Sequence, residues 1–234
     1  MVIKKVSVAL GGTNVLAVPF FLRGLFIKCA KIFGVNQFDT AQYYGASEQV
    51  LSNAKLSDVQ IVSKWGIGQS TDPFNPDPKR WFSEFSADRL EIQVARSVNF
   101  FTGNNDIGFA LHRPAEQYVQ EHVKILLGCK ASGLVDRVGY SCDTQSEILE
   151  DNSWCDFIIT HYSLAGAFTG FKGQVFLHGV FKDRLDAKDL RAMVAGLSSC
   201  DQVTFLIGTS RPWRFIKALR LVKKVAEFEL AKHG

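Results

Sequence analysis

The sequence predicts an α/β chain of eight strand-then-helix units closed into a (β/α)8 barrel, a TIM barrel of one domain over residues 1–234. Three observations carry this reading. Short β-rich runs alternate with longer stretches of helical period along the whole chain. The runs number eight, as a closed parallel barrel requires. A chain of 234 residues with 47% hydrophobic content suits one well-buried core and leaves little room for a second. An open, doubly wound sheet is the competing arrangement.

The first strand is expected over Val6 to Leu10, and the first helix from Pro19 to Phe33, with proline in the first turn and Gly34 as the stop. The second strand is Gln37 to Thr40, its helix Ser47 to Ala54, and the third strand Val59 to Ser63. A long loop from Gly68 to Arg80 carries Pro73, Pro76 and Pro78, and on a barrel it belongs to the face where active sites are built. Ser86 to Phe101 places Leu90, Val94, Val98 and Phe101 at helical spacing. Ile107 to Leu111 follows as the fourth strand, then a helix from Glu116 to Ser132 stopped by Gly133. Arg137 to Ser141 precedes a short helix over Gln145 to Glu150, and Asp156 to Thr160 is the sixth strand. The crossover after it should be the least regular, because Gly166, Gly170 and Gly173 disfavour a helix. Gln174 to His178, a helix from Ala187 to Leu197, Val203 to Ile207 and a last helix from Pro212 to Lys232 complete the series.

Composition narrows the function. The 27 basic residues are dispersed among 23 acidic ones, and a net charge of +4 is too mild to imply nucleic acid. Lys4 and Lys5 precede the apolar stretch Val6 to Leu10, but Gly11-Gly12-Thr13-Asn14 interrupts it, which argues against a signal peptide. No run approaches the roughly 18 apolar residues of a membrane span. Cys29, Cys129, Cys142, Cys155 and Cys200 form no C-x-x-C pair. They read as reduced thiols in a cytoplasmic protein, with no disulfide framework and no metal centre.

Asp39, Tyr44, Lys64 and His112 each fall at, or just beyond, the C-terminal end of a predicted strand, so on a barrel they share one rim. A tyrosine hydroxyl, with a reference pKa near 10, is a poor proton donor, and an adjacent ammonium lowers that value by stabilising the phenolate. Lys64 is the ammonium and Asp39 its counter-charge, while His112 is suited to orient a substrate oxygen. Singly, each has a plainer reading: Asp39-Thr40 as a helix cap, Tyr44-Gly45 as a turn, Lys64 as a solvated strand end, and His112-Arg113-Pro114 as a loop start. Four complementary groups at successive strand ends are harder to dismiss.

These residues carry a resemblance to the aldo-keto reductases. Gly34-Val-Asn-Gln-Phe-Asp-Thr-Ala-Gln-Tyr-Tyr-Gly45, with Ser47-Glu48, is similar to that family's signature. Val62-Ser-Lys64 resembles its lysine strand, Leu111-His112 its histidine strand, Gly133 to Ser141 its fifth-strand approach, and Ile207-Gly-Thr-Ser-Arg-Pro212 its cofactor segment. The resemblance implies an NADPH-dependent reductase of aldehydes or ketones. It makes Tyr44 the general acid, tuned by Lys64 and Asp39, and makes His112 the group that orients the carbonyl. Tyr44 rather than Tyr43 takes the role because it stands immediately before the glycine. The resemblance also implies cofactor contacts from Ser141, Gly208, Ser210, Arg211 and Arg214. Ser210 is expected to cap the last helix, and the two arginines to grip the 2′-phosphate.

Three positions depart from the family pattern. Cys142 and Ile159 stand where amide side chains usually hold the nicotinamide, and alignment on Val175-Phe-Leu-His-Gly179 puts Gly173 where a stacking tyrosine is common. They open a second reading, a catalytically degenerate barrel that serves as a ligand-binding or regulatory protein. A third, unrelated barrel chemistry would use Lys64 as a Schiff-base amine.

Overall fold

The computed structural model describes residues 5–66, 87–101, 103, 105–114, 119–183 and 185–231. Eight parallel strands close into a barrel in chain order: β1 (Lys5–Gly11), β2 (Gln37–Asp39), β3 (Gln60–Trp65), β4 (Asp106–His112), β5 (Arg137–Cys142), β6 (Phe157–His161), β7 (Gln174–His178) and β8 (Gln202–Ile207). Strand β8 pairs back onto β1, so no edge is left open. The strands read as apolar runs because a parallel sheet is covered on both faces, and all six residues of β3 are buried.

The helices that cover the outside are α1 (Gly12–Val15), α2 (Arg23–Ile32), α3 (Ser47–Asn53), α4 (Ala87–Val98), α5 (Val119–Ala131), α6 (Ala187–Gly196) and α7 (Pro212–Ala231). As expected, Gly34 stands as the stop just beyond α2, and its φ of +93° lets the Val35 N–H reach back to the Ala30 carbonyl at 3.0 Å. Asp186 caps α6 by accepting from the backbone N–H groups of Lys188 and Asp189, a contribution of about 1 kcal/mol. The crossover after β6 holds only a 3-10 turn over Tyr162–Phe168. The crossover after β5 has a shorter one, a 3-10 turn over Gln145–Glu147 in place of the expected helix to Glu150. The Gly68 to Arg80 loop lies outside the described residues.

Alternation along the strands fills the interior in layers. At the N-terminal end a polar ring closes the barrel. Gln174 accepts from Gln60 and Arg137 at 3.1 and 2.8 Å and donates to Thr204 at 2.7 Å, and Ser7 donates to Gln37 at 3.1 Å. Above it lies an apolar layer of Ala9, Val62, Ala110, Phe157, Ile159, Phe176 and Leu206. Gly139 makes room for Phe157, since a Cβ there would sit 2.0 Å from the Phe157 carbonyl oxygen. One step further along, at the C-terminal mouth, the inward positions are Asp39, Lys64, His112, Ser141, His161 and His178.

Candidate active site

Lys64 is the centre of the mouth. Its ammonium donates to the Asp39 carboxylate and, at 2.7 Å, to the Thr40 carbonyl, and it lies 4.9 Å from the centroid of the Tyr44 ring. The Tyr44 and His112 rings meet edge to face with centroids 5.7 Å apart. The structure thus brings together the four residues that sequence reasoning had grouped.

The segment carrying Tyr44 is pinned from below. Backbone N–H groups of Thr40 and Gln42 donate to the β3 carbonyls of Val62 and Lys64 at 2.8 and 3.1 Å. Buried Glu48, in the first turn of α3, accepts from the Ser63 hydroxyl at 2.6 Å and the Ser97 hydroxyl at 2.7 Å. Gln42 adds bonds of 2.8 Å to the Gln93 carbonyl and to Ser97. Gly45, at φ +55°, turns the chain directly after Tyr44, a conformation side-chain-bearing residues rarely adopt. Tyr44 therefore sits on a loop tied to β3 and α4.

Burial governs the charges. It works against the Lys64 ammonium, yet Asp39 and Tyr44 outweigh it and hold the amine protonated beyond its ordinary range. Burial raises the Asp39 carboxyl despite the pull of Lys64. The expectation for Tyr44 needs correction: Lys64 does draw its pKa down, but burial is the larger effect and the hydroxyl ends above its ordinary value. His112 is held well below the usual histidine range by burial first and the Lys64 charge second, so its imidazole is neutral at physiological pH.

Among the expected cofactor residues, Ser141 is the inward neighbour of His112 across the β4–β5 pair, and its buried hydroxyl has no hydrogen-bond partner among the described residues. Gly208, Arg211 and Arg214 are exposed at the end of β8 and the start of α7. The helix begins at Pro212, as expected, but its cap is not Ser210. The Arg211 carbonyl accepts from the Phe215 N–H at 3.1 Å and the Thr209 hydroxyl accepts from the Arg211 N–H at 3.1 Å, so Ser210 lies outside the cap. The Arg211 guanidinium stands 5.9 Å from the centroid of the exposed Trp213 ring.

Two of the three departures are corrected by position. Cys142 faces the helical layer, where its thiol donates to Thr160 at 3.4 Å and burial pushes its pKa up to about 12. Gly173 precedes β7 and so lies at the opposite end of the barrel, with a would-be Cβ 2.3 Å from the Asp156 carbonyl oxygen. The mouth end of β7 carries His178. Ile159 does face inward, in the apolar layer beneath the mouth.

Sequence reasoning missed a second polar group on this rim. His178 Nε2 lies 2.8 Å from Asp143 Oδ1, just beyond β5, and its ring meets that of His161 at 5.4 Å. Burial would raise the Asp143 carboxyl, but the His178 hydrogen bond and the nearby Arg113 guanidinium hold it down at about 2. Position at the end of a strand, the signal that found His112, also marks His161 and His178.

The model of the aldo/keto reductase family matches residues 26–164, more than half of the chain. The chain belongs to this family. Comparison with curated proteins finds no match. Among solved structures, a Pseudomonas aeruginosa protein assigned to the aldo-keto reductases aligns with a TM-score of 0.70 at 20% identity, covering 94% of this chain and 90% of that one. The holo form of an aldo-keto reductase from Bacillus halodurans aligns with a TM-score of 0.62 at 14% identity, over 94% of this chain and 85% of that one. An aldo/keto reductase from Brucella melitensis gives 0.58 at 10% identity, over 94% and 88%. At such identities the likeness to these aldo-keto reductases is one of fold.

Proposed function

We propose that the protein reduces an aldehyde or ketone to an alcohol with NADPH, using Tyr44 as general acid. The observation that carries this is the convergence of Asp39, Tyr44, Lys64 and His112 in one buried cluster at the barrel mouth. When bound, the cofactor supplies a hydride to the carbonyl carbon. Tyr44 gives its phenolic proton to the carbonyl oxygen, which completes the alcohol. The protonated Lys64 stabilises the phenolate that remains, offsetting the burial that otherwise keeps the hydroxyl weakly acidic. Asp39 fixes the ammonium in place, and neutral His112 donates a hydrogen bond that orients the carbonyl.

The residues present fit the cofactor. The partnerless, buried Ser141 hydroxyl suits a polar group of the nicotinamide end. Gly208 and Ser210 would lie along the adenosine end, and Arg211 and Arg214, which form no ion pair with a described residue, would meet the 2′-phosphate at the start of α7. Titration calorimetry with NADPH and NADH tests the reading, with tighter NADPH binding expected. Absence of binding by either would instead support the ligand-binding barrel.

A further inference from the structure

We propose that the outer wall formed by α2 and α7 docks on an anionic lipid bilayer, with the exposed rings of Phe20 and Phe21 entering the headgroup layer. This is independent of the chemistry at the barrel mouth. No helix among the described residues is long and apolar enough to cross a membrane, so the contact is with its surface.

The chain's mild net charge conceals a segregation. No aspartate or glutamate occurs within residues 1–38 or 202–226, the stretches that hold α2 and most of α7. The two helices lie side by side: the Phe26 and Phe215 rings meet edge to face with centroids 5.6 Å apart, and the Lys223 ammonium donates to the Phe33 carbonyl at 3.1 Å. On α7, Lys217, Arg220 and Lys224 recur at i, i+3 and i+7, opposite the buried Phe215, Ala218 and Val222. Lys28 stands likewise on the outer face of α2. These four cations are exposed, and none forms an ion pair with a described residue.

The same wall holds apolar side chains in water. Phe20 and Phe21 are 82% and 79% exposed, and Leu25 and Ile32, which share the outer stripe of α2 with Lys28, are 59% and 81% exposed. The turn that presents the two rings is tied down. It is a 3-10 turn over Phe20–Leu22, and the Arg23 side chain beside it donates to the Val18 carbonyl at 3.0 Å and lies 6.0 Å from the centroid of the Phe20 ring. Unpaired cations beside clustered aromatic and aliphatic groups select the occupant. An anionic bilayer offers phosphates to the cations and, just beneath them, an apolar layer to the rings. Nucleic acid would meet the charges but leave Leu25 and Ile32 in water, and a second copy of this face would bring like charges together.

Co-sedimentation with vesicles tests this, using phosphatidylcholine alone and phosphatidylcholine with a quarter phosphatidylserine. The protein should bind the phosphatidylserine vesicles, come off them at high salt, and bind phosphatidylcholine alone far more weakly. Lys28→Ala combined with Lys224→Ala should weaken binding about 5-fold per lysine, and Phe20→Ser combined with Phe21→Ser about tenfold or more. Thermal unfolding midpoints show which variants remain folded. No binding to phosphatidylserine vesicles, or binding unaltered in both folded double variants, overturns the inference. Binding of duplex DNA in preference to vesicles, undiminished by the phenylalanine substitutions, would overturn it in favour of nucleic acid. Dimerisation in light scattering that the same substitutions abolish, without vesicle binding, would overturn it in favour of a second copy.

Discussion

The Lys64 ammonium meets the Asp39 carboxylate across the β2–β3 pair, with only 2% and 8% of the two side chains exposed. A charge this deep is tolerable only while its partner is present, and removing one partner of a buried pair costs about 3–5 kcal/mol. Asp39→Ala and Lys64→Met should each destabilise the fold by that amount in urea unfolding. The double variant should cost clearly less than the sum, because it leaves no orphaned charge. Strict additivity would mean that the pair is not coupled.

Acid should weaken the protein in two stages. His112 has a folded pKa well below its unfolded value near 6.5, so as pH falls below about 6.5 the unfolded chain takes up a proton that the folded one refuses, and stability declines. Asp143, held at about 2 against an unfolded value near 3.9, contributes stability above about pH 4 that is lost as pH falls toward 2. Unfolding free energies from pH 7 to 5 should fall less steeply for His112→Gln than for the wild type. Parallel curves would contradict the assignment.

Glu48 should matter beyond its own helix. Replacing it by alanine leaves the Ser63 and Ser97 hydroxyls buried without their acceptor, a loss of about 1–3 kcal/mol per orphaned group. The Tyr44 loop is tied to the same network, so Glu48→Ala should lower kcat more than it raises KM. Unaltered kcat would show that the loop is held by its backbone bonds alone.

The cofactor preference should reside in two exposed arginines. Each charge-assisted contact to a 2′-phosphate is worth about 1.5–3 kcal/mol, so Arg211→Ala or Arg214→Ala should narrow the gap between NADPH and NADH by roughly tenfold or more. Calorimetry that finds the gap unchanged in both would remove the phosphate from this helix start.

The strands were legible because parallel strands covered on both faces read as apolar runs, and β7 begins and ends where its residues suggested. The tetrad was legible because three of its members stand at or beside such strand ends. Other features depended on information no local pattern carries. Matching Val175 to Gly179 against a short motif cannot say which end of a strand Gly173 occupies, and the barrel register put it at the far end. The parity of Cys142 likewise turned it toward the helices. Asp143 and His178 lie on opposite sides of β6, so their pairing needs the closed barrel to exist. The net shift of Tyr44 hung on burial by the whole rim rather than on its nearest cation.

The central claim is that Tyr44 delivers the proton. The most direct measurement is NADPH-dependent carbonyl reduction by Tyr44→Phe, which keeps the ring against His112 and removes only the hydroxyl. Turnover should drop by about 10² to 10⁴, the range for lost general acid catalysis, with NADPH affinity little changed. A variant that reduced the substrate at the wild-type rate would contradict the account.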